Sequence, residues 1–179
     1  MAATVTIRRL TGAGPTSTDI TSINTRANAE DAHTTAGTSN SILVPAAGTN
    51  YSYWVVTQLN VTAITSGTVD NVKWYTDGTN NFGTGVTCRV GTATGYTQAT
   101  GTAGTTGTEL TVGNYATFTL GDSNAFDYNS GAPLSVTGTT TGTGAFGDRV
   151  VYQIEVGSTA ASGATATETF TWRYDDTSS

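Results

Sequence analysis

His33 and Cys88 are the only imidazole and the only thiol in the chain, so they bound its nucleophilic and metal chemistry. A triad needs a base within reach of its nucleophile and a third group to orient the base. His33 lies in a polar stretch far along the chain from Cys88, and no Gly-x-Ser-x-Gly elbow is present. One His and one Cys do not fill a zinc ligand set. Cys88 alternates with Val86 and Val90 in GVTCRVG, the pattern of a buried structural thiol, and a lone cysteine closes no internal disulfide.

Carboxylates leave more open. Glycoside hydrolysis needs an acidic pair whose separation is set in space, so sequence alone does not decide among Glu30, Glu109, Glu155 and Glu168. Glu155 falls on the outward face of an alternating segment and Glu168 just before another, where solvated surface charge is the ordinary reading. Asp122, Asn124, Asp127 and Asn129, closed by Gly131, gather hard oxygen ligands in one loop and form a candidate calcium site with help from carbonyls. Their spacing is not that of an EF-hand, and Asp and Asn are also what turns prefer. Asp77 with Asn80 and Asn81 is a weaker version of the same arrangement. Trp54, Trp74, Trp172 and Tyr96 would make a sugar-binding platform if exposed. Trp74 and Trp172 alternate with apolar neighbours and read as core, while Trp54 sits on the more polar side of its segment and needs a covering layer or an interface. The expectation is a protein with no catalytic residues and no cofactor.

The elements that must carry these residues are strands. Tyr51 to Ile64 is the longest strand-forming run; at period two, Tyr51, Tyr53, Val55, Leu59 and Val61 share a face, and the run reads as the central strand. Alternation recurs at Thr4–Leu10, Val69–Tyr75, Val86–Val90, Leu110–Leu120, Leu134–Val136, Val150–Val156 and Thr169–Tyr174. Asp77-Gly78 is the strongest hairpin signal, and 91–108 reads as a mobile or edge hairpin, or a contact loop, around Tyr96. Turn-rich loops between short strands predict an all-β fold, a single β-sandwich or jelly-roll-like domain. Within it, 1–10 is a first strand, 11–48 an extended irregular arm and 49–179 the sandwich core. The arm has few large apolar residues and only a weak helical turn at Asn24–Ala32, so it is expected to draw order from contacts outside its own sandwich. The expected core is Val55, Leu59, Val61, Val72, Trp74, Phe118, Ile154, Phe170 and Trp172.

Charge narrows the partners. Charged residues make up 11% of the chain, against about a quarter in ordinary domains. A net charge of -6 with one adjacent basic pair, Arg8-Arg9, argues against nucleic acid. No apolar run reaches the roughly 20 residues that span a bilayer, and MAATVTIRRL lacks the apolar core of a signal peptide, so synthesis and retention in a cytoplasm are expected.

The Met1 start, the Thr/Gly/Ala bias, the single Lys73, the polar stretch between ITSINTRANAEDAH and SILVPAAG, and the closing TFTWRYDDTSS together resemble a bacteriophage virion structural protein. The type is the small β-sandwich that decorates or cements capsids. That resemblance implies a non-enzymatic role on the virion, with the major capsid protein and copies of itself as partners, as a homo-oligomer on the particle. Tail, head-fibre and spike-base proteins share the style. A carbohydrate-binding module and an extracellular filament subunit are the readings from other classes.

Overall fold

A computed structural model describes residues 2–35, 37–119 and 123–177. Its strands are β1 (Thr4–Thr11), β2 (Thr16–Asp19), β3 (Thr49–Tyr51), β4 (Val55–Ala63), β5 (Val69–Tyr75) and β6 (Val86–Ala93). There follow β7 (Gly101–Thr102), β8 (Thr106–Gly107), β9 (Ser123–Asn124), β10 (Leu134–Ser135), β11 (Gly144–Gly157) and β12 (Thr171–Asp176), with one 3-10 turn, η1 (Ala125–Asp127). The large sheet runs β2-β1-β4-β11-β6-β9, with β3 also on β11; β10-β5-β12 form a second sheet and β7-β8 a small hairpin. All pairs are antiparallel. The protein is an all-β, sandwich-like fold.

Two apolar clusters flank the large sheet. Between the sheets, Val55, Leu59 and Val61 of β4, Cys88 and Val90 of β6, and Val150, Tyr152 and Ile154 of β11 meet Val69, Val72 and Trp74 of β5 and Leu134 of β10. On the other face, Tyr53, Trp54, Val56, Ala93 and Val151 pack with Leu110, Tyr115 and Phe118. This second layer is largely loop, from 94 to 119, rather than sheet. Trp54 is therefore core, 3% exposed, its Nε1 donating to the Thr97 carbonyl at 3.0 Å.

The predicted strand over Tyr51–Ile64 is broken. Tyr51 pairs with Glu155 and Val55 with Tyr152, so four steps on one strand face three on the other. The extra residue makes a bulge at 52–54 that turns Tyr53 to the face opposite Val55 and into the second cluster, correcting the assignment of Tyr51 and Tyr53 to the Val55 face. Ser52 holds the bulge: its N–H donates to the Ile154 carbonyl at 2.8 Å and its Oγ accepts from the Ile154 N–H at 3.0 Å. A second irregularity lies between Phe146 and Val150, at Gly147 with φ +70°. There the chain passes so close to Gly138 that a side chain on either glycine would strike backbone.

Residues 11–48 are not free of the sandwich. β2 extends the sheet beside β1, and β1 itself lies inside the sheet next to β4. Asn24–Ala32 forms no helical turn. Instead 25–34 make a strap closed by the Arg26 N–H on the Thr34 carbonyl at 2.9 Å, and Asn28 and Ala29 are buried. The Tyr53 and Gly104 N–H groups bond the carbonyls of Asn28 and Ala29. The order expected from outside contacts is supplied here by the chain's own sheet and hairpin.

Most of the expected core is buried, including Val55, Leu59, Val61, Val72, Trp74, Phe118 and Ile154. Phe170 and Trp172 are only half-buried. Trp172 faces the same interior as Trp74, its cross-strand partner, but β12 is the edge of the small sheet and leaves one flank open. Trp74→Ala should cost about 3 to 5 kcal/mol, as for an emptied buried aromatic site. Trp172→Ala should cost clearly less in the same denaturant titration.

Buried in the middle of β11, Gln153 is 0% exposed. Its Oε1 accepts from the Leu110 N–H at 2.6 Å, and its Nε2 donates to the carbonyls of Ser52 at 2.7 Å and Thr108 at 2.8 Å. Gln153→Leu strands these three backbone groups, each worth about 1–3 kcal/mol when buried without a partner. Equilibrium unfolding should show a loss of about 3 kcal/mol or more.

Candidate functional site

The sequence-level candidates scatter. Cys88 lies in the intersheet core, where burial first and the Glu155 charge second push its thiol far above the usual range, so it stays a thiol. His33 is on the strap against Thr25. No nucleophile–base pair joins them.

The Asn residues of the candidate calcium loop serve their own backbone. Asn124 Oδ1 accepts from the Phe126 N–H at the start of η1, and Asn129 Oδ1 accepts from the N–H groups of Gly131 and Ala132. Asp127 is exposed, and Asp122 lies outside the described residues. Among the described residues, no cluster of His, Cys, Asp and Glu has a metal-binding arrangement. Asp77 and Asn80 are likewise spent on turn N–H groups, and Glu168 accepts from the Asn81 N–H. The candidate aromatic platform is dispersed. Trp54 and Trp74 are core, Trp172 is half-buried at the edge strand, and the Tyr96 hydroxyl donates to the Gly12 carbonyl at 2.8 Å.

One polar constellation was not foreseen. Arg89 on β6 lies directly opposite Gln153 on β11 and diagonal to Glu155, two residues further along; its Nη2 lies 2.7 Å from Glu155 Oε1, and its Nη1 lies 3.2 Å from Glu109 Oε1. Nη1 also donates to the Leu110 carbonyl, and Thr87 Oγ1 donates to Glu155 Oε2. Burial first, then the Glu109 and Glu155 charges, raise the Tyr51 phenol. Thr87, Arg89, Asn124 and Glu155 line a shallow, open surface depression. The guanidinium fixes both carboxylates as a cross-strand clamp. Nothing in the sequence links Glu109 to Arg89 until the loop that follows the β7-β8 hairpin is seen to return over β6.

Beside the clamp the loops converge on one ridge. The Leu43 N–H donates to the Thr105 carbonyl, Asn50 Nδ2 to the Leu43 carbonyl, and the Tyr51 N–H to Thr106 Oγ1. Gly107 packs so tightly on Ser52 that a Cβ would lie 2.2 Å from its carbonyl oxygen. Leu43 and Val44 nevertheless remain 52% and 37% exposed. Hydrogen bonding therefore holds this segment in place while its apolar side chains face outward. Ile23 and Val112 are the other large apolar residues exposed among those described.

No family model, no curated protein and no solved structure gave a match to the chain.

The strap is fastened by Arg9, 1% exposed, whose Nη1 donates to Thr25 Oγ1 and to the Arg26 carbonyl, each at 2.6 Å. With that carbonyl held, trypsin should cut the free protein slowly after Arg26. Arg9→Met keeps volume but removes both bonds, and cleavage after Arg26, followed by mass spectrometry, should become the first event.

Proposed function

We propose that the protein is a non-enzymatic assembly component, a virion structural protein that binds and stabilises the outside of a phage capsid. The observation that carries this reading is the ridge at Leu43 and Val44, where ordered backbone presents apolar side chains to solvent in a chain with few charged residues. Low overall charge and abundant threonine let like subunits approach without strong repulsion and reduce the desolvation cost of burying Lys or Glu. The partners in this reading are the major capsid protein and further copies of the chain. Other virion positions, in a tail, head fibre or spike base, use the same surface physics.

The experiment is to wash intact particles carrying the protein at molar salt, then measure retained protein and heat resistance. Contacts built on apolar area should survive salt that screens exposed ion pairs. Retention should fall for Leu43→Asp and Val44→Asp, whose side chains are exposed and whose folded stability should change by less than about 0.5 kcal/mol. Loss of the wild-type protein in salt alone, or equal heat resistance of particles lacking it, overturns the reading.

A further inference from the structure

We propose that residues 25–34 form an acid-released latch in which His33 is the sensor and Thr25 relays its protonation to the buried Arg9 guanidinium. This stands independently of the assembly role.

Thr25 Oγ1 lies between two nitrogens, 2.6 Å from Arg9 Nη1 and 3.1 Å from His33 Nδ1. A guanidinium only donates, so Thr25 Oγ1 accepts from Arg9 and has one proton left to give. Polarised by a cation, that hydroxyl is a strong donor, and the acceptor in reach is His33 Nδ1. The neutral ring with its proton on Nε2 therefore completes the relay. A proton on Nδ1 removes the acceptor and sets a second cation against the same oxygen.

The surroundings favour the neutral ring. Arg9 enters from β1, and both of its bonded partners, Thr25 Oγ1 and the Arg26 carbonyl, are uncharged. Among the described residues its Nε has no partner. Tyr152 from β11 and Tyr96 from the loop after β6 also face Arg9, but as phenols they carry no charge at neutral pH. The acidic groups near Arg9 are Glu30 and Asp31 of the strap. Glu30 is held by the amides of Asn28 and Asn40, and Asp31 by the Gly12 N–H and Gln98 Nε2. Burial first, and the Arg9 charge second, hold His33 below its ordinary value of 6.5.

The sign follows from linkage. With the strap open, His33 regains its ordinary value and binds protons more readily than with the strap closed. Acid therefore favours opening, beginning near pH 6.5 and levelling off below the closed-state value.

The test is amide hydrogen exchange of the whole chain at pH 7.5 and 5.5, expressed as protection factors, beside an NMR titration of His33. Wild-type residues 25–34 should lose protection in acid, approaching tenfold for each unit by which the measured His33 value lies below 6.5. β11 should keep its protection. His33→Gln, neutral throughout, should show no acid-dependent loss in the strap. Thr25→Ala should leave the strap weakly protected at both pH values and return His33 to its ordinary titration. An equal acid loss in His33→Gln, no loss in wild type, loss shared equally by β11, or an unchanged His33 titration in Thr25→Ala each overturns the proposal.

Discussion

A sheet covered on both faces leaves its central strand no water, and most of the structure answers that constraint. β11 is paired along both edges, by β3 and β4 on one side and β6 on the other. Its own backbone is satisfied by those ladders. The loops that cover its outer face bring backbone polar groups into the same dry space, where each needs a partner. Gln153 supplies them, since one amide side chain offers both donors and acceptor to Ser52, Thr108 and Leu110. The bulge at Ser52, the placement of Glu109 and the closeness of Gly107 to Ser52 all meet at this point. A polar residue thus organises the less regular half of the core, whereas the intersheet half is organised by Val, Trp and Phe packing.

This division explains what was legible in advance. Val55, Leu59 and Val61, and equally Val150, Tyr152 and Ile154, alternate because sheet meets sheet across them, and the period of two is a direct record of that contact. The same arithmetic failed at Tyr51 and Tyr53, since one inserted residue inverts parity and leaves no mark in composition. Trp54 was hard to place for a related reason. Its cover comes from the glycine- and threonine-rich loop 94–119, whose apolar contribution is concentrated in Leu110, Tyr115 and Phe118 and shows no sustained period. Trp172 was placed on the correct face, but burial depends on which strand is the edge, and strand order is a property of topology rather than of local pattern.

Polar candidates were less legible still. An Asn that caps a turn and an Asn that ligates calcium look alike in sequence, and Asn124 and Asn129 prove to be turn-makers. Glu155 read as a solvated surface charge, and with Arg89 and Glu109 it forms one clamp, because the β6–β11 register and a returning loop set their meeting. Arg9 read as half of the one adjacent basic pair. In the fold Arg8 reaches toward Asp19 on the neighbouring strand, while Arg9 points inward with Val5 and Ile7 and is sealed by the strap. Alternation predicts that opposition of faces, but not that a cation would be accepted inside.

Why a guanidinium there rather than a leucine is answered by what closes over it. The strap brings few large apolar groups, so an apolar residue at position 9 would meet mostly peptide and hydroxyl and leave the Arg26 carbonyl without its donor. A guanidinium reaches two acceptors at once with fixed geometry and keeps a long aliphatic stem against the core. The cost is a buried charge balanced by neutral oxygens and by the field of Glu30 and Asp31, which makes this corner more sensitive to added positive charge than the apolar core is. A strap held in this way is ordered without being strongly stabilised, and local opening should begin here before the β4–β11–β6 ladder yields.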